Sequence, residues 1–252
     1  MNLFGLIGYP LSHSFSATYF TKKFEKEGIL DAEFRLFELN NIEEIKHLLF
    51  SEPLLKGLSV TIPYKEKIIP YLDELDEIAQ KVGAVNSVKI SKVNQQIYLK
   101  GFNTDVIGFE KTLIPMLKNH HKQALVLGTG GASKAVVFVF EKLKIPYRIV
   151  SRNTSQFLLT YNELTKEIMD THQLIINTTP VGMFPNIIEN PLLPYHFLNS
   201  SHFLFDLIYN PEETLFLQKG KIHNSLTKSG LDMLIEQAEA SWKIWNIIDE
   251  NN

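Results

Sequence analysis

Between Ala124 and Leu143 the chain passes from a short apolar run into a glycine turn and then into a helical pattern, and this passage restricts the fold more than any other stretch. Ala124-Leu125-Val126-Leu127 reads as a buried strand, Gly128-Thr129-Gly130-Gly131-Ala132-Ser133 as the turn, and Ser133 to Leu143 as the helix. An apolar strand that yields to such a turn and a helix opens a β-α-β unit, and repeated units build a parallel sheet with helices on both faces. Glycines let the backbone approach a pyrophosphate closely, and the helix N-terminus adds free N–H groups and a positive dipole end. The third glycine of G-x-G-x-x-G is Ser133 here, still small enough for close helix–sheet packing. Alone, the spacing fits an ordinary tight turn as well; the flanking strand and helix favour the phosphate-binding reading.

The end of the next strand, Tyr147 to Val150, selects the dinucleotide. An Asp or Glu there would hold the ribose 2′-OH of NAD, whereas a cation would pair with the 2′-phosphate of NADP. The segment is Ser151-Arg152-Asn153-Thr154-Ser155-Gln156, with no acid. Arg152 offers a planar guanidinium fork for a phosphate, against the alternative of a surface arginine. NADP is the favoured cofactor. Leu174 to Ile176 and Phe203 to Phe205 read as further strands of this half.

The first half is a second α/β stretch. Leu3 to Ile7 reads as a strand, followed by a helix from about Ser14 to Glu27 with Phe15, Tyr19, Phe20 and Phe24 on its apolar face. Phe34 to Leu39 is a strand, and Asn41 opens a helix with Glu43 and Glu44 in its first turn. A strand from Leu58 to Ile62 ends at Pro63, and a helix covers Asp73 to Val82. Ala84 to Ile90 and Ile97 to Phe102 pair around the polar turn Val93-Asn94-Gln95-Gln96. The second half begins with a helix from Val106 to Lys118. The chain closes with one from about Leu231 to Ile248, apolar at 231, 234, 235, 238, 242 and 245. Polar loop chemistry at Gly101 to Asp105 marks the boundary between the halves.

Composition excludes several functions. Net charge of −3 disfavours a nucleic-acid binder, and no stretch approaches the roughly 20 apolar residues of a membrane span. The N-terminus lacks the pattern of a signal peptide. No cysteine is present, which removes disulfides and thiol catalysis and fits a cytoplasmic location. The eight histidines are scattered without metal-ligand spacing, so no metal is expected.

Three polar motifs remain in the first half. Ser12-His13-Ser14-Phe15-Ser16 offers hydroxyls for a carboxylate, or caps a helix. In Ser59-Val60-Thr61-Ile62-Pro63-Tyr64-Lys65, alternation points Ser59 and Thr61 to one side, and Lys65 is expected to open a helix. A lysine is electrostatically unfavourable at a helix start, which hints at another use. Gly101-Phe102-Asn103-Thr104-Asp105 reads as a functional loop or as a capped turn.

Taken together with the glycine turn, these motifs make the chain resemble the shikimate dehydrogenases over nearly its whole length. The resemblance also runs through Gly83-Ala84-Val85-Asn86, Asn177-Thr178-Thr179-Pro180-Val181-Gly182-Met183, Asp206-Leu207-Ile208-Tyr209-Asn210-Pro211 and Gly230-Leu231-Asp232-Met233-Leu234 to Gln237. It implies an α/β fold of two domains. Residues 1–104 would form a substrate-binding and catalytic domain with a mainly parallel sheet, completed by the C-terminal helix 231–252. Residues 105–230 would form a Rossmann-type NADP domain. It further implies that Lys65 and Asp105 are the catalytic pair, and that Ser14 and Ser16 bind the substrate carboxylate. Thr61, Asn86, Lys65, Asp105 and Gln237 would contact ring hydroxyls, with Tyr209 beside them. Gly128, Gly130, Gly131, Ala132, Ser151, Arg152, Leu207 and Gly230 would line the cofactor. The expected activity is reversible NADPH-dependent reduction of 3-dehydroshikimate, by a monomer or homodimer with a small-molecule substrate and no nucleic-acid or membrane partner.

Several positions depart from the family's pattern: Ser59 for Asn, Ala17, Phe20 and Thr21 for Pro, His and Asn, Ser151-Arg152-Asn153 for Asn-Arg-Thr, and Ser229 for Asn. None removes a catalytic group. Competing readings are a quinate/shikimate dehydrogenase that uses NAD, a catalytically silent NADP-binding regulator, and a folate-linked dehydrogenase of similar plan. The missing acid after Val150 speaks against NAD, intact Lys65 and Asp105 against a silent binder, and the paired serines with Gln237 against the folate enzyme.

Overall fold

The structure is a computed structural model that describes residues 1–11, 14–93, 96–153, 156 and 158–247. Ser12, His13, the Asn94-Gln95 turn, Thr154, Ser155 and the expected helical residue Ile248 lie outside the described residues. The chain forms two compact units, Met1–Thr104 with Ala238–Asn252, and Asp105–Gln237.

The first unit contains β1 (Asn2–Gly8), α1 (Phe15–Glu27), β2 (Ala32–Glu38), α2 (Ile45–Ser51), β3 (Leu55–Val60), β4 (Glu74–Leu75), α3 (Glu77–Val82), β5 (Ser87–Val93) and β6 (Gln96–Phe102). Its six-stranded sheet has the order β2-β1-β3-β5-β6-β4. β1 runs parallel to β2 and β3, and β5 runs antiparallel to β3 and β6. β6 therefore points the same way as β1 and β3. Alternation along β1 feeds two cores: Leu3 and Ile7 join Leu58, Val60 and Val88, while Phe4 and Leu6 join Phe20, Phe24, Phe34 and Trp245. Phe20 is fully buried and stacks on Phe34 with centroids 4.6 Å apart. Burial of such a ring contributes about 1.5–3 kcal/mol. Trp245 lies over Gly57, where any side chain would strike the indole.

Two local expectations fail here for identifiable reasons. Lys65 does not open an α-helix: residues 65–68 form a turn, followed by a 3₁₀ turn at Ile69–Tyr71. Pro70 supplies no N–H to carry the turn into an α-helix. The electrostatic argument from a helix start therefore does not apply to Lys65. The helix expected from Asp73 begins only at Glu77, because the Asp76 side chain caps it by accepting the Ala79 N–H at 2.8 Å. Upstream, the Asp73 N–H donates to the Leu99 carbonyl and the Asp76 N–H to the Gly101 carbonyl, which makes β4 an edge strand beside β6.

The second unit contains most of α4 (Thr104–Leu113), then β7 (Ala124–Leu127), α5 (Gly131–Leu143), β8 (Tyr147–Ser151), β9 (Leu159–Thr160), α6 (Lys166–Thr171), β10 (Leu174–Asn177), β11 (Phe203–Asp206), α7 (Leu215–Ile222), β12 (Leu226–Lys228) and the start of α8 (Leu231–Trp245). Its sheet is parallel throughout, in the order β12-β11-β10-β7-β8-β9. This is the doubly wound arrangement, and its strand order reverses between β7 and β10, where such sheets open a crevice at their C-terminal edge. All residues of β7, β10 and β11 are buried, as a sheet covered on both faces requires. α4 ends earlier than expected, at Leu113, with Pro115 inside the 3₁₀ turn Ile114–Met116. α8 also differs from its sequence reading. Its buried residues are Met233, Gln237, Ala238, Ala240, Ser241 and Trp245, while Leu231, Leu234, Ile235 and Trp242 are only partly covered. Two polar side chains in the buried stripe displaced the apolar face that periodicity indicates.

Candidate functional site

Topology gathers the first-half motifs at one edge of the first sheet. β1, β3 and β6 end there, and antiparallel β5 begins there. Ser14 occupies the N-cap position of α1 and makes no side-chain cap hydrogen bond; Ser16 is buried in the first turn. Helix capping therefore does not account for Ser14. Thr61 follows β3, its N–H donating to the Ile7 carbonyl at 2.9 Å, and its methyl packs where any side chain on Gly8 would sit. Lys65 is half-buried in the next turn, where its carbonyl accepts the Val85 N–H at 2.7 Å.

Asn86 is buried between α3 and β5, and its carbonyl accepts the Val60 N–H at 2.8 Å. Its side-chain oxygen accepts the Thr104 N–H at 2.6 Å, and its amide nitrogen donates to the Thr104 hydroxyl at 2.9 Å. Asn103 donates to the Ala84 carbonyl at 2.9 Å, and the Thr104 and Ser241 hydroxyls pair at 3.0 Å. Buried Asp105 follows in the first turn of α4, where the helix dipole favours a carboxylate. Asp105 and Gln237 are the residues at which the chain passes between the two units. Gln237 is buried and donates to the Leu234 carbonyl at 3.0 Å.

The second set lies along the C-terminal edge of the parallel sheet. Gly128 has φ of +107°, and a Cβ there would come within 2.9 Å of Thr178 Oγ1 and Thr179 Cγ2. Gly130, the N-cap residue of α5, has open space where a Cβ would be, so a ligand can approach the backbone. Gly131 and Ala132 form the first turn of the helix, whose leading N–H groups precede its hydrogen-bond ladder. α5 starts two residues before the expected Ser133, which instead folds its hydroxyl back onto the Gly130 carbonyl at 2.7 Å. Ser151 ends β8 and accepts the Asn153 N–H at 3.2 Å, and Arg152 is exposed beside it. An exposed cation, no acid at this strand end and an open glycine turn together fit a dinucleotide carrying a 2′-phosphate.

Leu207, Tyr209 and Gly230 complete this edge. The Gly230 N–H donates to the Ile208 carbonyl at 3.0 Å, and the Leu207 carbonyl occupies the space of a side chain at 230, so only glycine fits. Tyr209 is half-buried. Below these loops sits a polar cluster whose roles sequence reasoning missed. Asp206 accepts from Asn177 Nδ2 at 3.0 Å, from the Ile208 N–H at 3.1 Å and from the Thr214 hydroxyl at 2.6 Å. Burial raises its carboxyl to about 7 against these three hydrogen bonds, which act the other way. The motifs holding Asn177 and Asp206 were visible in the sequence, but their pairing across 29 residues was not.

Among the described residues no helix is long and apolar enough to cross a membrane. The shikimate dehydrogenase substrate binding domain matches residues 6–88 of this chain. A shikimate dehydrogenase (NADP(+)) of Methanosphaera stadtmanae is 35% identical, over 96% of this chain and 90% of its own. A second, from Methanococcus maripaludis, is 37% identical over 96% of this chain and 91% of its own. The crystal structure of shikimate 5-dehydrogenase from Thermus thermophilus, in complex with NADP(H) and shikimate, is 28% identical. It covers 98% of this chain and 94% of its own, with a TM-score of 0.85. With full-length relatives this similar and both sets of motifs held at sheet edges, the chain belongs to the shikimate dehydrogenase family.

Proposed function

We propose that this protein catalyses the reversible, NADPH-dependent reduction of 3-dehydroshikimate to shikimate, an oxidoreductase step on a CH–OH group within chorismate and aromatic amino-acid biosynthesis. The observation that carries the reading is the convergence of Ser14, Thr61, Lys65 and the Asn86–Thr104 bracket on one sheet edge. Met1–Thr104 supplies the substrate side, and residues 105–230 the cofactor side. The small-molecule substrate is held through its carboxylate by the hydroxyls of Ser14 and Ser16, and through ring hydroxyls by Thr61, Asn86 and Gln237, with Tyr209 alongside.

Bound NADPH supplies the hydride to the ring carbonyl. Lys65, as an ammonium, stabilises the negative charge that grows on the carbonyl oxygen and delivers the proton; in the reverse direction it removes it. Asp105 hydrogen-bonds the substrate and orients it. Gly128, Gly130, Gly131 and Ala132 receive the pyrophosphate, Ser151 and Arg152 the 2′-phosphate, and Leu207 and Gly230 line the far end of the dinucleotide. The enzyme works in the cytoplasm as a monomer or homodimer, in keeping with a chain that has no cysteine.

The test is steady-state turnover with shikimate or quinate crossed with NADP or NAD. Turnover confined to shikimate with NADP supports the reading. Equal turnover with quinate and NAD would move the protein to the broader activity, and binding of NADPH without turnover on any pair would leave a regulator. Arg152 without a neighbouring acid, and both Lys65 and Asp105 present, weigh against those two outcomes.

A further inference from the structure

Asp206 is fully buried at the end of β11, with no cation among the groups that shift its titration. Isolated buried carboxylates are costly and persist where donors converge on them. Here three converge, and each leads to a different part of the C-terminal edge. Asn177, which donates to Oδ1, also accepts the N–H of Thr179 at 3.1 Å and its hydroxyl at 2.7 Å. Thr179 and Thr178 are the residues against which Gly128 closes, and the Thr178 hydroxyl donates to the Leu127 carbonyl at 2.6 Å. The Ile208 N–H, also on Oδ1, fixes the segment whose Leu207 carbonyl abuts Gly230. Thr214, on Oδ2, caps α7. One carboxylate thus references both the glycine turn and the Leu207–Gly230 wall.

We propose that Asp206 is a positioning residue for the dinucleotide: its carboxylate holds the turn after β7 and the loop after β11 at the spacing that receives the pyrophosphate and the far end of NADP. The inference rests on the NADP reading above. Asp206 touches no reacting atom and acts only through Asn177, Thr179 and the 207–209 backbone. Its carboxyl titrates at about 7, so the ionised holder is present above that pH and lost below it. β10 faces it with Asn177, α7 with Thr214, and the 3₁₀ turn Tyr195–Phe197 with Tyr195. The Tyr195 phenol is pushed up by burial and donates to the Pro191 carbonyl, so it stays neutral across this range.

The experiment measures NADPH dissociation constants by nicotinamide fluorescence, from about pH 6 to about pH 8, for wild type and Asp206→Asn. Asparagine keeps its oxygen for Asn177 and Ile208 and mimics the protonated acid. Asp206→Asn is expected to weaken NADPH binding about tenfold at the alkaline end, the difference between charged and neutral hydrogen bonds. The gap should close towards acid pH as wild type protonates, the ligand's own titration being common to both proteins. KM for shikimate should move less than the NADPH dissociation constant, because Ser14, Ser16, Thr61 and Asn86 lie on the other unit. Thr214→Val, which removes one donor, gives a smaller loss of the same kind and serves if Asp206→Asn does not fold. A lower melting temperature with unchanged NADPH affinity at every pH would overturn the proposal and leave Asp206 a purely structural residue. Failure of wild type itself to bind NADPH would instead overturn the cofactor reading, and this inference with it.

Discussion

The side chain of Asn86 grips Thr104 twice, accepting its backbone N–H at 2.6 Å and donating to its hydroxyl at 2.9 Å, and Asp105 is the next residue. A strand-start asparagine thereby sets where α4 begins and holds the carboxylate of its first turn. Thr104→Val keeps the shape but removes the hydroxyl that Asn86 and Ser241 share. Two buried polar groups then lose a partner, at a cost of about 1–3 kcal/mol. Thermal unfolding should report that loss, and kcat should fall more than KM for shikimate because the change displaces Asp105 without removing a binding group.

Gly128→Ala combines a positive φ with contacts at 2.9 Å to Thr178 and Thr179. The backbone strain alone costs about 1–3 kcal/mol, and relief would push the turn away from β10. NADPH affinity should drop more than about tenfold, with shikimate binding to the free enzyme little changed; calorimetric titration of each ligand separates the two.

Arg152→Ala removes an exposed cation at the end of β8, so folding should be untouched. One or two charge-assisted hydrogen bonds to a 2′-phosphate are worth about 1.5–3 kcal/mol each. KM for NADP should rise tenfold or more while KM for NAD stays put. Ratios of kcat/KM for the two cofactors give the answer directly.

Buried titratable groups make stability depend on pH in two opposing ways. His121 is lowered to about 4 by burial, with repulsion from His120 and Lys118 adding to it, and burial also lowers His172 and His202. The unfolded chain takes up these protons near the ordinary 6.5 while the folded chain does not, so stability is lost as pH falls from 6.5 towards 4. Asp206 works the other way: raised from 3.8 to about 7, it binds its proton more readily when folded, and it costs stability as pH rises through that interval. The two contributions oppose each other, so the histidine part is read where the carboxyl is absent. Urea unfolding of Asp206→Asn at about pH 5 should show a stability lower by on the order of 1–2 kcal/mol than at about pH 7. His121→Asn, able to accept the Lys118 N–H as the ring now does at 3.1 Å, should flatten that dependence.

What could be read before the fold was known follows from range. β7, the glycine turn and β8 are local and strongly patterned, so their bounds agree with the sequence reading to within a residue or two. The setting of Lys65 was misread because Pro70, five residues on, decides whether the turn grows into a helix. The face of α8 was misread because Ser241 pairs with Thr104 and Gln237 packs close to Gly108, neighbours distant in sequence that periodicity cannot see. The Asn177–Asp206–Thr214 cluster joins the last residues of β10 and β11 to the N-cap of α7, and the parallel register of the two strands sets Asn177 beside Asp206.

Lys65→Ala, assayed for NADP reduction with shikimate and for NADPH binding, tests the central claim most directly. The account predicts that turnover falls at least about a hundredfold, the scale of one lost general acid–base and charge-stabilising group. NADPH affinity and melting temperature should stay near those of wild type. Turnover within a fewfold of wild type, in a variant that binds NADPH normally, would contradict it and remove Lys65 from the chemistry.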